Sequence, residues 1–578
     1  MERPVRTVPA DYEPLKEKIS RLIKKEMGKK DVVGLSVALV DGQRIVWTRG
    51  FGWSDKKNKI PATPDTVYRV GSISKLFTAV AVMQLAERGK MDVDKPLKTY
   101  LPEFSVKTSF DGGSVTPRNL MTHHSGLSAN YLKGMWTRNP SPLSGLPDLI
   151  KSERAAYPPD HVFSYSNLGV SLLGAAVQMV AGRDFAEHME KEVLGPLGMT
   201  RSAFSTRLEP SVANSKGYRD EKEADDPSLR DVPAGGLNAS AVDLSRFMRM
   251  ILVGGSSGGK EILRPATVEE MLRPQNENVP LDFSFRVGLG WMLSGAGDME
   301  IKNAGPVAHH AGGTILFHSQ LIILPRHELG VVVLANSDSA REAVDKIATE
   351  TIKLALEAKT GIKQSEKEKD VETGGALPPE KALDFEGDYA TIVGLARITN
   401  KNGSLNADAV GRKFRLVQRA DGLLGLRYRL FGFIPIPIGT LNEIGLSRVN
   451  VGNAELLTAK LGGLELLAGA KIKRGRPSQK WLDRLGGYEI VNAEGDAEEL
   501  IPANVRLVND GGLFAIKYST PLMKKEEVKF AVNPISDDEG VLYGIAGGEG
   551  MGERVSVETI NDREAVRFSG YLFRKKYR

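Results

Sequence analysis

Hydrophobic positions first repeat at helical spacing. Between residues 11 and 27, Leu15, Ile19, Leu22 and Ile23 recur among lysines and glutamates, which predicts an amphipathic helix. The pattern then turns β-rich, with runs Val32–Val40 and Arg44–Trp47 joined through Asp41-Gly42, a pair that favours a tight hairpin. A long apolar helix is predicted over Ser72–Arg88, stopped at Gly89. Residues 90–300 read mainly as helices separated by Pro- and Gly-rich loops. Two late β-runs, Ser319–Leu324 and Gly330–Ala335, flank the polar turn Pro325–Glu328, and a helix is predicted over Arg341–Ala358. Strands at the two ends with helices between predict one α/β domain whose terminal strands meet in one sheet.

The pattern breaks after residue 360. Charged Ser365–Glu372, Gly374-Gly375 and Pro378-Pro379 mark residues 361–381 as a linker. Beyond it the chain is Gly- and β-rich, and it repeats. Leu383-Asp384, Gly387 and Tyr389 recur as Leu482-Asp483, Gly486 and Tyr488. Arg415-Leu416-Val417, Gly422-Leu423 and Tyr428 recur as Arg506-Leu507-Val508, Gly512-Leu513 and Tyr518. The ends, 462–474 and 570–578, match loosely. Two all-β modules are expected, over 382–477 and 478–578, after a domain spanning 1–360.

Composition narrows the function classes. The 578 residues are 41% hydrophobic and 26% charged, which excludes a disordered, collagen-like or coiled-coil chain. Lys+Arg (78) barely exceed Asp+Glu (72), and the signs are interleaved, so no nucleic-acid partner is expected. The absence of cysteine excludes disulfides, thiolate catalysis and Cys-ligated metals. The longest apolar runs, Leu168–Ala181 and Leu76–Ala86, are too short to span a bilayer. The N-terminus lacks the layout of a signal peptide. The chain therefore reads as cytoplasmic as written; an exported protein trimmed of its signal would read the same.

Ser-x-x-Lys occurs at Ser54–Lys57, Ser72–Lys75 and Ser257–Lys260. Only Ser72 opens an apolar helix, where residues i and i+3 share a face, so Lys75 reaches the Ser72 hydroxyl. The alternative is a capping serine beside a solvated lysine. Tyr165-Ser166-Asn167 is the only Tyr-x-Asn in the chain. A tyrosine beside an ammonium has a lowered pKa and serves as a base, while Asn167 holds the lysine. The competing reading makes Asn167 the N-cap of the helix that follows. His310-Ala311-Gly312-Gly313 precedes the late strands, where an edge strand would border a cleft and Gly313 would offer an oxyanion N–H. His124-Ser125-Gly126 reads as a structural turn.

Gly254–Gly258 matches a nucleophile elbow but lacks its strand–turn–helix context. Lys359-Thr360-Gly361 follows a helix and reads as its cap. No cofactor is expected. His309, His310 and His318 are the weak candidates for a metal, and none is assigned.

Ser72-x-x-Lys75, Tyr165-x-Asn167 and His310-x-Gly312, in that order, resemble the serine β-lactamase and penicillin-binding-protein superfamily, in its class C-like branch of esterases, D-aminopeptidases and D,D-peptidases. Leu120–Leu127, Ala234-Gly235-Gly236-Leu237 and Gly288-Leu289-Gly290-Trp291 add to the likeness, which covers about 11–358. It implies an α/β β-lactamase/transpeptidase-like domain: an antiparallel sheet flanked by helices, with a helical insert. The tail resembles the two lipocalin-like β-barrels of D-aminopeptidases and related self-compartmentalising peptidases, so a homo-oligomer is among the expectations.

Carried over by position, Ser72 is the acylated nucleophile, Lys75 and Tyr165 share its proton, and Asn167 orients Lys75. The N–H groups of Ser72 and Gly313 form the oxyanion hole, and His310 replaces the usual lysine. That replacement predicts weak or no β-lactamase activity. The expected substrates are small carboxylic esters or short peptide amides; the rival is a catalytically silent penicillin-binding scaffold. Phe431–Gly439, apolar with two prolines, reads as a buried interdomain loop, a loop reaching the cleft, or a membrane-touching loop.

Overall fold

The strand Gly34–Asp41 is buried at all of its positions, and a strand without a solvent face needs cover on both sides. The computed structural model, which describes residues 11–108, 110, 112–295, 299–364, 377–401, 403–409, 411–430, 434–436, 443–523, 527–545 and 552–576, supplies both. On one face Leu35, Val37 and Leu39 meet Leu15, Ile19 and Ile23 of the helix Glu13–Lys29. The helix Arg341–Thr360 adds Val344, Ile347 and Ile352 there. On the other face Ala38 and Val40 pack into a core with Leu76, Phe77 and Val80 of the helix Ser74–Glu87.

Among the described residues the sheet is antiparallel and six-stranded. Its order is Ala308–Gly313, His318–Leu324, Leu329–Ala335, Gly34–Asp41, Arg44–Asp55, Ile60–Pro61. The late strands thus close onto the first, with Val37 opposite Val333, as the pattern predicted. The second strand runs to Asp55, well past Trp47. Gly50 and Gly52 look like breakers, yet a Cβ on Gly50 would lie 1.9 Å from the Ala62 carbonyl oxygen. Glycine there permits a close backbone approach rather than ending the strand. Helices Pro117–Thr122, Asn167–Ala181 and Ala241–Leu252 lie between the first and last strands, but loops, turns and short strands take up more of that stretch than helix, contrary to the mainly helical middle that the pattern predicted.

The tail forms two closed eight-stranded antiparallel barrels. Gly387–Thr391, Gly394–Lys401, Ser404–Ala409, Arg412–Gln418, Leu424–Leu430, Gly445–Val451, Ala454–Leu461 and Leu464–Lys471 close the first. The second runs from Gly486–Ile490 to Tyr571–Lys575. Each opens the same way: a short helix, a glycine at positive φ (Gly387, Gly486), and a tyrosine whose hydroxyl donates to the carbonyl four residues back. Those bonds are Tyr389 to Phe385 (2.9 Å) and Tyr488 to Arg484 (2.7 Å). The Arg-Leu-Val match is displaced, however: it lies on the fourth strand of the first barrel and the second strand of the other. That match reflects a shared strand-and-turn pattern, not equivalent positions.

Of the loop Phe431–Gly439 only Ile434–Ile436 is described; it pairs with Tyr428–Leu430 as a short edge strand, and the rest lies outside the described residues. Of the linker, 365–376 also lie outside them, and the helix Pro379–Phe385 already leads into the barrel.

Candidate active site

Ser72 stands in a single helical turn, Gly71–Ile73, that leads into the helix Ser74–Glu87. Gly71 has φ +52°, and a Cβ there would lie 2.6 Å from the Gly313 nitrogen. From the other side, a Cβ on Gly312 would lie 2.0 Å from the Val70 carbonyl oxygen. Small residues at the crossing therefore let the edge strand that carries His310 lie against the turn that carries Ser72. Ser319 fixes the contact by donating to the Val70 carbonyl at 2.8 Å.

One turn after Ser72, Lys75 is 2% exposed. Its Nζ donates to Ser72 Oγ (3.0 Å), Asn167 Oδ1 (2.7 Å) and the Ala234 carbonyl (2.7 Å). Burial penalises the ammonium and pulls its pKa from 10.5 down to about 7, with the charge of Asp231 opposing. Asp231 is itself fully buried and receives Arg230 Nε at 2.7 Å. Neither residue is signalled by any motif; only the fold sets this pair near Lys75.

Asn167 is not the N-cap. Ser166 takes that role, accepting the Gly169 N–H at 2.8 Å, and Asn167 is the first helical residue. Its side chain is thereby free to bridge Lys75 and Asn130, donating to Asn130 Oδ1 at 2.8 Å. Tyr165 lies over the same site, with Lys75 Nζ 4.9 Å from its ring centroid. Its hydroxyl is not shifted as expected. Desolvation pushes its pKa above the usual 10, while a hydrogen bond with Ser72 opposes. The reason is burial: a phenolate stripped of water costs more than the single bond from Ser72 returns.

His310 is buried, and burial pushes its pKa from 6.5 to about 3, with Lys75 adding to the effect. Its ring centre lies 6.3 Å from that of Tyr165. It is a neutral imidazole at pH 7. His123, absent from the predicted set, stacks 4.3 Å from the Tyr165 ring, and its Nδ1 accepts the Ser166 N–H at 3.1 Å. His124 is the expected structural residue, buried against Asp282 at 2.7 Å.

Among the described residues no group of three or more His, Asp or Glu is placed to hold a metal. His309 and His310, as neighbours on one strand, point to opposite faces. The other Ser-x-x-Lys serines stand elsewhere. Ser54 donates to the Ile60 and Pro61 carbonyls, and Ser257 sits in a two-residue hairpin strand. Lys359 ends a helix capped by Gly361.

Residues 19–355 match the Beta-lactamase family model. Protein flp of Staphylococcus aureus (strain N315) is 23% identical over 331 residues, covering 56% of this chain and 63% of flp; the chain thus matches under two thirds of that relative. The crystal structure of SurE superposes with a TM-score of 0.58 at 24% identity, over 79% of this chain and 99% of that one. The octameric penicillin-binding protein homologue from Pyrococcus abyssi does so at 0.51 and 20% identity, over 97% of this chain and 100% of the other. These likenesses carry the fold; no described helix is long and apolar enough to cross a membrane.

Proposed function

The chain belongs to the beta-lactamase family of serine hydrolases, and within it we propose an acyl-enzyme hydrolase of small carboxylic esters and of short peptide amides of the D-aminopeptidase type. The observation that carries this is a buried lysine, held 3.0 Å from a half-buried serine hydroxyl, with its pKa brought to about 7. A base with that pKa is half neutral at working pH, near the optimum for general-base catalysis.

Ser72 Oγ attacks the substrate carbonyl carbon as its proton passes to Lys75 Nζ. The displaced carbonyl electrons rest on an oxygen facing the Ser72 and Gly313 N–H groups. Collapse breaks the bond to the leaving alcohol or amine, which takes a proton through the Tyr165 hydroxyl. Water then cleaves the acyl-enzyme and restores Ser72. Tyr165, kept protonated by burial, is a proton relay and not the resting base.

Substrate choice follows from His310. A neutral imidazole gives a substrate carboxylate no cation at the third motif. Esters, and amides whose charge is a free amine at the other end, fit this site better than β-lactams. The test is kinetics of wild type and Ser72→Ala on p-nitrophenyl butyrate and D-Ala-p-nitroanilide, with the mass shift after a fluorophosphonate. Loss of both activities and of the adduct is expected. A wild type that neither hydrolyses nor labels turns the reading to a silent scaffold.

A further inference from the structure

The segment 129–138 has two sides that belong to different parts of the molecule. Its inner side holds the catalytic network. The Ala129 carbonyl accepts the Asn167 N–H (2.8 Å) and Asn130 Oδ1 accepts the Asn167 side chain (2.8 Å). The Tyr131 and Lys133 carbonyls each accept a guanidinium N–H of Arg230 at 2.8 Å, and the Met135 carbonyl accepts the Arg230 backbone N–H at 2.8 Å. Arg230 in turn holds Asp231, whose charge acts on Lys75.

The outer side is held by the second barrel. The Leu132 N–H donates to Ser569 Oγ (3.0 Å) and the Lys133 N–H to the Ser569 carbonyl (3.1 Å). The Gly495 carbonyl accepts from the Arg138 N–H (2.8 Å) and Thr137 Oγ1 (2.7 Å), and the Ala497 N–H donates to the Trp136 carbonyl (2.9 Å). At the centre is Asp496, with a side chain only 2% exposed. One of its oxygens accepts Lys133 Nζ (3.1 Å), the Gly134 N–H (3.2 Å) and the Tyr571 hydroxyl (2.9 Å).

We propose that Asp496, delivered from the second barrel, is a positioning residue for the Ser72–Lys75–Asn167 site, acting through the 129–138 segment and the Arg230–Asp231 pair. A buried carboxylate with three donors is a strong anchor, since hydrogen bonds to a charged group exceed neutral ones and leaving a donor unpaired is costly. The anchored carbonyls fix where the guanidinium sits. The guanidinium fixes how much of the Asp231 charge Lys75 feels. The barrel thus sets a proton affinity in the neighbouring domain. The inference rests on the proposed role of Lys75 as base, and its test separates the two.

The variants are Asp496→Asn, which keeps the shape and removes the charge, and Tyr571→Phe, which removes one donor. Val566→Ala, in the second barrel's core and outside the hydrogen bonds that hold the segment, controls for general loosening of the barrel. Two readouts are taken on the full chain. In the pH profile of Ser72 acylation, the acid limb near pH 7 is expected to rise by about half a unit in Asp496→Asn, because Arg230 compensates Asp231 less well. It is expected to stay in place in Val566→Ala. In amide exchange, peptides covering 129–138 and 167–170 are expected to exchange about tenfold faster, the change produced by losing one charged hydrogen bond. Exchange needs no activity, so it decides the coupling even if Ser72 proves inert and the proposed function fails. An unmoved or lowered limb together with unchanged exchange at 167–170 overturns the inference. So does an equal response in Val566→Ala.

Discussion

Replacing Lys75 by methionine should make the protein more stable at neutral pH while abolishing its activity. The lysine is buried with its pKa lowered from 10.5 to about 7, so the folded state binds its proton far more weakly than the unfolded chain does. Above 10.5 both states are neutral and Lys75 imposes no charge penalty. As pH falls from 10.5 to 7, only the unfolded chain takes up the proton, and stability drops by about 1.4 kcal/mol per unit. Below 7 both states are protonated and the loss levels off at about 4–5 kcal/mol. Between pH 9 and pH 7 the Lys75 contribution therefore changes by about 2–3 kcal/mol, stability rising with pH.

Lys75→Met keeps the stem and removes the ionisation. The lost hydrogen bonds to Ser72, Asn167 and Ala234 offset part of the gain, but they do not depend on pH in the same way. The measurement is urea unfolding of wild type and variant at pH 7, 8 and 9, followed by tryptophan fluorescence. Four of the five tryptophans, Trp47, Trp53, Trp136 and Trp291, precede the linker, so the signal reports the catalytic domain. The gap between the two proteins should narrow by about 2–3 kcal/mol from pH 7 to pH 9. Parallel curves would mean that Lys75 is protonated in the folded protein throughout, and the general-base assignment would fall with them.

The other expectations follow from single contacts. Acylation of Ser72 should rise with pH through about 7 and be lost below it, since neutral Lys75 is the reactive form. Asn130→Ala should lower kcat about tenfold or more with little effect on KM, because it leaves Asn167 with one partner instead of two. Gly71→Ala should cost about 2 kcal/mol or more in urea unfolding and abolish acylation, for its Cβ would strike Gly313 at 2.6 Å and φ is +52°. Glu153→Gln should stabilise the protein by about 3 kcal/mol above pH 7 and hardly at all at pH 4.5. Burial, with Arg554 and Arg567 opposing, pushes the Glu153 pKa up to about 7, so the folded state favours its protonated form and loses that advantage as pH rises.

How much of this was legible in the chain depends on the distance over which each feature is encoded. The period of Leu15, Ile19 and Ile23, the hairpin at Asp41-Gly42, and the apolar helix after Ser72 are local. Each follows from spacing and turn chemistry within about ten residues. Ser72 and Lys75 meet because they are three apart on a helix, which needs no tertiary information. The barrels were legible as two modules because the helix–glycine–tyrosine opening recurs. Their strand correspondence was not, since short β-rich runs with Gly turns look alike wherever they fall in a barrel.

What only the tertiary structure decided is electrostatic. Whether Lys75 is a solvated ammonium or a base depends on the burial supplied by elements more than ninety residues away, Asn167 and Ala234 among them. Tyr165 gains proton affinity because the fold buries it, where the motif alone pointed to a loss. Arg230, Asp231 and Asn130 carry no signature, because a buried ion pair or amide acts through position, not sequence context. The sequence by itself determined which side chains stand where along each element. The packed fold determined which of them lose water, and loss of water is what turns a serine and a lysine into reacting groups.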